Sequence, residues 1–386
     1  GFWLKFFGSR MELPSGQIVC NLTDFEVIAK ERLDPVDYDY YAAGGEDEIT
    51  LKRNKEAWRQ IVIWPRFLVD CSSIDVSARL EFLGLDAAMP IIVPPMAMQK
   101  LAHPEGEIGL ARAARSAGLP YCFTQQATTK LEAVCEQAPG PKLFQMYVFE
   151  DRALSESLIR RAEVCGVKAI VVTVDSPVLG RRERDLRNKF TPASRGIQLV
   201  NYMSQSTKAD DKQSTVSAAV KARTGGRDAS FSWSDLAWLR SATSLPVILK
   251  GIVHPDDADL AVRNGVAAVW VSNHGGRQLD GGPSTAAALP LVVHAVGGRI
   301  PVLVDGGLSR GTDVLKALAL GATVACVGRP LLWALATDGE RGARLAIEML
   351  KEELRTAMAL SGVPSISAIS RRLVQTPCER PLTSSL

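Results

Sequence analysis

What this 386-residue sequence lacks narrows its function first. No stretch approaches the ~18 uninterrupted apolar residues of a membrane-spanning helix. The opening Gly1–Phe7 run is apolar but too short for a secretory signal, and residues 1–20 read as a leader or tail. Neither sign of charge dominates: 45 Lys and Arg stand against 42 Asp and Glu, mixed along the chain. A nucleic-acid or anionic-membrane partner is therefore not indicated. The seven cysteines are odd in number and include no C-x-x-C pair. Cys122 and Cys326 sit inside apolar runs, which is the usage of reduced, buried thiols and not of a disulfide framework. Only four histidines occur, and no His/Cys/Asp cluster has metal-ligand spacing.

What is present is a repeating pattern. From residue 90 onward eight short, β-branched-rich apolar runs recur: 90–95, 120–124, 142–148, 169–175, 246–252, 268–274, 301–307 and 323–328. Each is too short for a buried helix and suits a strand covered on both faces. Between them lie amphipathic segments such as 107–117, 155–165, 256–264 and 312–320. Gly118, Gly166, Gly265 and Gly321 follow these segments, where a helix C-cap needs positive φ. Strand, helix, glycine, strand, repeated eight times, predicts a (β/α)8 TIM barrel. The rival is an open doubly wound sheet, but the glycine-rich nucleotide turn expected after its first strand is absent. Residues 21–375 would form the barrel domain, with a helix at 21–33 capped by Asn or Thr, a charged helix after Gly45, a long helix at 339–360 and a C-terminal tail at 376–386. Asp175 to Pro246 is about twice the usual interval between strands, and 191–230 is polar, as in a loop over the active face; a functionless insertion is the alternative.

Barrel enzymes place their chemistry at the C-terminal ends of the strands. The third run carries Gln145 and Tyr147, the fourth Thr173 and Asp175, and the fifth Lys250. The sixth ends on Ser272, Asn273 and His274, the seventh on Asp305 and the eighth on Gly328 and Arg329. Core positions rarely accept Lys, Asp or His without a partner, so their convergence on one rim points to function. Asp305-Gly306-Gly307 and Gly328-Arg329 follow strands seven and eight, where barrels commonly hold a phosphate. His103 and His254 precede prolines in helix-starting loops, and His294 lies on a helix; His274 alone ends a strand. Arg277 follows it three residues on, which pairs a proton acceptor with an anion clamp, as a hydroxy carboxylate requires.

Ser272–Gln278 (SNHGGRQ) with Leu279-Asp280 resembles the signature of the FMN-dependent 2-hydroxy acid oxidase and dehydrogenase family, and most of all its glycolate oxidases. Tyr38–Ala42 (YDYYA), Met96–Gln99 (MAMQ), His103–Gly106 (HPEG), Phe144–Val148 (FQMYV), Thr173–Arg182 (TVDSPVLGRR) and Asp305–Asp313 (DGGLSRGTD) fall in the family's order. Lys316–Ala322 (KALALGA) and Met358–Gly362 (MALSG) do too, so the resemblance spans roughly Leu22 to Arg372.

The resemblance implies a barrel that binds FMN and oxidises a small L-2-hydroxy acid. His274 would be the base and Asp175 its partner; Arg277 and Arg182 would hold the substrate carboxylate, and Tyr40 and Tyr147 would donate hydroxyl hydrogen bonds to it. Lys250 would lie by the flavin edge that gains charge on reduction. Pro95, Met96, Ala97, Thr124, Gln145, Thr173 and Ser272 would contact the ring, Asp305 the ribityl chain, and Gly306, Gly307, Ser309, Gly328 and Arg329 the phosphate region. Two positions depart from the pattern. Ser309 stands where the family has an arginine that touches phosphate, which implies a weaker grip there. Gln126 stands where glycolate oxidases have a pocket-lining tryptophan; among glycolate, L-lactate and longer 2-hydroxy acids this favours L-lactate or a longer one, the alternative being that Gln126 points away from the pocket. Dioxygen is the expected acceptor, giving hydrogen peroxide; the alternatives are a dehydrogenase passing electrons to a cytochrome or quinone, a flavin-binding protein without catalysis, and a phosphate-binding barrel isomerase. A homo-oligomer is expected. The C-terminal Ser384-Ser385-Leu386 resembles the Ser-Lys-Leu peroxisomal address, with the cytoplasm as the other location.

Overall fold

A computed structural model describes residues 11–12, 16–201 and 226–377. Eight parallel strands form its centre: β1 (Ile91–Ile92), β2 (Tyr121–Thr124), β3 (Lys142–Met146), β4 (Ile170–Thr173), β5 (Val247–Ile252), β6 (Ala268–Val271), β7 (Val302–Val304) and β8 (Val324–Cys326). Each strand pairs with the next in sequence from β2 to β8, and β8 pairs with β1 through Ala325–Ile91 and Cys326–Ile92. The last seam is closed by a parallel bridge between Val93 and Tyr121, with Val93 N donating to Pro120 O (3.0 Å) and Cys122 N to Val93 O (2.8 Å). The expected barrel is therefore present, and the open sheet is excluded.

The strands read as unbroken apolar runs because both faces are covered. Within them the side chains alternate. Ile92, Cys122, Val171, Ile248, Trp270, Leu303 and Cys326 gather in an inner cluster, while Ile91, Phe123, Ile170, Val172, Val269 and Val271 belong to the outer core beneath the helices. An antiparallel pair, Ala78–Leu80 with Leu85–Ala87, leads into β1 and adds Leu80, Leu83 and Ala87 to the inner cluster. It plugs the N-terminal end of the barrel and leaves the C-terminal end for chemistry.

Three helices precede the barrel: α1 (Leu22–Arg32), α2 (Pro35–Ala42) and α3 (Ile49–Gln60). Asn21 caps α1 in a capping box with Asp24, and Asp34 and Pro35 start α2. Next come α4 (Gly106–Ser116), α5 (Leu131–Gln137), α6 (Arg152–Val164), α7 (Glu183–Arg187), α8 (Leu236–Ser241), α9 (Pro255–Arg263), α10 (Thr285–Val296) and α11 (Gly311–Ala319). The expected glycines Gly118, Gly166, Gly265 and Gly321 all have positive φ.

The final helix differs from the sequence reading. It begins at Arg329, immediately after β8, and runs to Leu360 with a break at Asp338–Gly339, where Gly339 has φ 55° and ψ −142°. Gly328 and Pro330 start this helix at the rim, so its positive end faces the strand-seven and strand-eight loops. Only the beginning of the polar 191–230 segment and its last residues are described; 202–225 lie outside. The beginning is clasped to α2: Arg195 donates to both carboxylate oxygens of Asp37 at 2.7 and 2.9 Å, and Phe190 stacks on Tyr40 at 4.5 Å. Asn201 bonds the backbone of Thr129 and Leu131. No helix among the described residues is long and apolar enough to cross a membrane.

Candidate active site

At the C-terminal end of the barrel a cavity of about 370 Å³ opens. Of the residues singled out above, Tyr40, Pro95, Met96, Ala97, Thr124, Gln126, Gln145, Tyr147, Thr173, Arg182, Lys250, His274, Arg277, Asp305, Gly306, Gly307, Ser309, Gly328 and Arg329 line it. Asp175 and Ser272 stand behind that wall, in contact with it. Asp175 Oδ1 lies 2.8 Å from His274 Nδ1, and Ser272 Oγ joins Lys250 and Asp305.

His274 leaves β6 in a left-handed conformation, φ 59°. That geometry costs on the order of 1–3 kcal/mol for a residue other than glycine and persists only where the surroundings enforce it. The enforcement is visible. Ser272 Oγ accepts from His274 N (3.1 Å), and the Asn273 side chain accepts from Gly276 N (3.1 Å). Asn273 is itself locked by a reciprocal amide pair with Asn54 of α3, both bonds 2.8 Å. Because a carboxylate only accepts, the proton of the His274–Asp175 bond sits on Nδ1 and Nε2 keeps its lone pair. Burial holds the imidazole below its ordinary pKa, against the upward pull of Asp175, with Lys250 and Arg182 adding to the downward shift. The ring is therefore neutral at pH 7. Burial alone would raise the Asp175 carboxyl, but His274, Lys250 and a bond from Ser176 Oγ (2.8 Å) bring it below the usual carboxylate value.

Opposite this pair lie two buried guanidinium groups with one loosely placed carboxylate between them, Asp185 Oδ2 at 3.9 Å from Arg182 Nη1. Burial and the nearby Arg277 push the Arg182 guanidinium down to about 10. Arg277 is lowered by burial too, with Arg329 adding repulsion and Tyr40 opposing it. Arg277 Nη1 donates to the carbonyls of Tyr40 (2.6 Å), Tyr41 (3.1 Å) and Ala43 (3.0 Å), which fixes its plane against the end of α2. Arg182 Nε donates weakly to Arg277 O at 3.4 Å. Two desolvated guanidinium groups held close are unfavourable unless an anion joins them. The arrangement could hold a carboxylate beside an imidazole with a free lone pair.

The deeper part of the cavity is satisfied from within. Thr124 Oγ1 donates to Gln145 Oε1 (2.6 Å), and Gln145 Nε2 donates to Thr173 Oγ1 (2.9 Å), a chain across β2, β3 and β4. Lys250 Nζ donates to Ser272 Oγ (2.9 Å) and pairs with Asp305 Oδ2 (3.2 Å), while Ser272 Oγ donates to Asp305 Oδ1 (2.6 Å). Burial lowers the Lys250 ammonium, but Asp305 and Asp175 more than restore it, and it stays charged. Arg329 is spanned by the carbonyls of Tyr41 (2.7 Å), Gly275 (2.9 Å) and Ala43 (3.1 Å); burial lowers it to about 10. Gly307 lies against α3, where a Cβ would stand 2.3 Å from Asn54 O, and a Cβ on Gly328 would approach Pro94 Cγ at 3.3 Å. The missing side chains let these two loops pack closely on α3 and on Pro94 at the wall of the cavity. Ser309 N donates to Asp313 Oδ2 (3.0 Å), and Arg310 is paired with Glu353.

Sequence reasoning passed over several residues that hold this site. Asn54 is one. Gln278 is another, its side-chain amide donating to Asp175 O (3.1 Å) and Val178 O (2.9 Å) while Gly180 N donates back to Oε1 (3.0 Å). Glu107 is fully buried and receives bonds from Gln99 N, Thr128 and Thr129, bracing the loops that carry Ala97 and Gln126. Arg227 also lines the cavity. Gln278 closes the SNHGGRQ signature without a role of its own being implied there; Asn54, Glu107 and Arg227 have no pattern that marks them in the sequence.

A closed barrel with a buried His–Asp pair, an arginine clamp and a lysine over a ligand-sized cleft defines a cofactor-dependent oxidoreductase of 2-hydroxy acids. The comparisons give the family. The FMN-dependent dehydrogenase pattern matches residues 29–376, and the chain belongs to that family. It is 47% identical to glycolate oxidase 3 of Arabidopsis thaliana over 94% of this chain and 98% of the relative. It is 46% identical to the glycolate oxidase of Spinacia oleracea over 92% and 95%. A mandelate oxidase crystal structure with (S)-4-hydroxymandelic acid superposes with a TM-score of 0.84 at 42% identity, over 93% of this chain and 99% of that one. FMN is the cofactor, and the residues present fit it. Gly307 and Gly328 line the cavity without a side chain, Lys250 supplies a buried cation, and Thr124, Gln145 and Thr173 present a polar edge.

Proposed function

We propose that the chain oxidises the C2 alcohol of a small L-2-hydroxy acid to the 2-oxo acid. FMN, when bound, accepts two electrons from C2 and passes them to dioxygen, giving hydrogen peroxide. The observation that carries the reading is the neutral His274, bonded to Asp175 at 2.8 Å, facing the Arg182–Arg277 pair. In this reading the two arginines take the substrate carboxylate and orient C2. His274 Nε2 removes a proton from the substrate, and Asp175 stabilises the resulting imidazolium. Tyr40 and Tyr147 hydrogen-bond the substrate. Lys250, a buried cation on the cavity wall, would favour the negative charge that a bound flavin gains when reduced. Pro95, Met96, Ala97, Thr124, Gln145, Thr173 and Ser272 cradle the ring, Asp305 the ribityl chain, and Gly306, Gly307, Ser309, Gly328 and Arg329 the phosphate.

Gln126 lines the cavity, with its backbone tied to Thr124 and Met98. A small flexible amide leaves room for a substituent on C2, so the substrate is larger than glycolate. One methylene in a fitting space is worth ~1–3 kcal/mol of discrimination. Residues 21–375 act as one catalytic domain in a homo-oligomer. A peroxisomal location agrees with the peroxide product.

The test is a pair of turnover assays, anaerobic and aerobic, across a panel of 2-hydroxy acids. The flavin released by heat should be FMN, and each oxidised substrate should yield an equivalent of peroxide in air. Flavin reduction without oxygen turnover would mean that electrons leave to another acceptor. A protein that ignores FMN would end the reading.

A further inference from the structure

Arg227 is a buried cation of the cavity that the reading above leaves without work. It is 8% exposed, and its guanidinium carbon lies 3.9 Å from the centre of the Tyr147 ring. Its backbone is fixed beside the end of β3 by an antiparallel bridge to Phe149 and by Asp228 N donating to Val148 O (2.9 Å). Among the described residues it makes no ion pair with a carboxylate. The nearest acid in sequence, Asp228, is committed to Arg152 at 2.6 Å and to Ser230. Arg227 shares the wall of the cavity with Gln126 and Tyr147.

A guanidinium out of water and without an anion is costly, and stacking on a tyrosine ring offsets only part of that cost. Arg182 and Arg277 already form the clamp that the C1 carboxylate needs. A further buried guanidinium on the wall of the same cavity, stacked on Tyr147, calls for a second acidic group. We propose that Arg227 binds a carboxylate at the end of the substrate's C2 side chain, so that the enzyme's preferred substrate is an L-2-hydroxy dicarboxylic acid. The proposal rests on the C2-oxidation reading and specifies its substrate. The face of Tyr147 orients the guanidinium, and its planar fork suits a carboxylate held by two parallel bonds.

The experiment uses the FMN-loaded enzyme and two matched series. L-malate and L-2-hydroxyglutarate carry the second carboxylate; L-2-hydroxybutyrate and L-2-hydroxyvalerate have apolar ends instead. Wild type should favour one of the dicarboxylates by about tenfold or more in kcat/KM, since a charge-bonding site strongly rejects analogues that leave it unpaired. Arg227→Met keeps the stem and removes the charge. It should lower kcat/KM for dicarboxylates by ~30–100-fold, mostly through KM, and change the monocarboxylates by less than about threefold. Arg227→Lys should recover part of the loss, as the charge returns without the fork. FMN content and melting temperature of each variant serve as the folding check. Equal losses for both series in Arg227→Met would overturn the proposal and make Arg227 a support for Tyr147 or a third C1 ligand. Equal or better use of monocarboxylates by wild type would overturn it too, while leaving the C2-oxidation reading intact. If no member of either series bleaches the flavin anaerobically, the C2-oxidation reading itself fails.

Discussion

The two ends of the cavity are built on opposite electrostatic plans. At the cofactor end the buried lysine has a close counter-ion from the protein: Lys250 with Asp305 at 3.2 Å, Ser272 between them, and Thr124, Gln145 and Thr173 in an unbroken chain. At the substrate end the partners are looser. Arg182 and Arg277 share space with a single carboxylate, Asp185, 3.9 Å from Arg182, Asp175 Oδ2 has no hydrogen-bond partner, and His274 sits in a left-handed conformation. The first plan keeps a resident cofactor in one pose. The second stores unfavourable charge that a passing anion relieves, which turns substrate binding into alignment. This FMN-dependent oxidase of 2-hydroxy acids thus separates holding from reacting within one chamber.

Four substitutions sharpen or break that contrast, the largest effect first. His274→Gln should slow anaerobic flavin reduction by ~10²–10⁴ while FMN stays bound, since a general base is worth that much. Stopped-flow reduction at the wild-type rate would remove His274 from the chemistry. Arg277→Lys should lower kcat by about 10–100-fold and raise KM as well, because the charge remains but the fork that aligns the carboxylate does not. A change in KM alone would mean that Arg277 attracts without aligning.

Asp175→Asn should slow reduction by about tenfold and also move the pH profile. His274 must be neutral to act, and its pKa already lies below the ordinary value; activity is full above that pKa and falls as pH drops through it. Asp175 is the main influence raising that pKa, so without it the acid limb of kcat/KM should shift to lower pH. A shift to higher pH would contradict the assignment. The smallest effect belongs to the cofactor end. Ser309→Arg should tighten FMN binding by about fivefold, a charge-assisted bond's worth in a partly exposed site, and leave KM for substrate unchanged. If KM moves together with FMN affinity, the two ends are not independent and the contrast falls.

Much of this was legible in the chain. Lys250, His274, Asp305 and Arg329 could be placed at strand ends because strand length and apolar runs are local properties, readable within seven or so residues. The glycines after α4, α6, α9 and α11 were equally plain, since the requirement for positive φ belongs to one residue at a time. The start of the final helix at Arg329 was missed because Gly328 and Arg329 already had an explanation as a phosphate turn; they serve the turn and the helix cap together.

What the sequence by itself determined is the order of eight strands, their two-faced burial and the identity of the groups at their ends. Short-range periodicity carries all three. The tertiary structure alone decided how those groups are tuned. Asn54 and Asn273, 219 residues apart, exchange the two bonds that hold the turn leaving β6. The end of α2 supplies the three carbonyls that fix Arg277, and the bond to Asp175 across the rim sets which nitrogen of His274 is the base. Arg227 enters the cavity only because its segment pairs with the end of β3. Burial, repulsion between buried cations and forced backbone geometry depend on which distant segments meet, and no local pattern encodes that meeting.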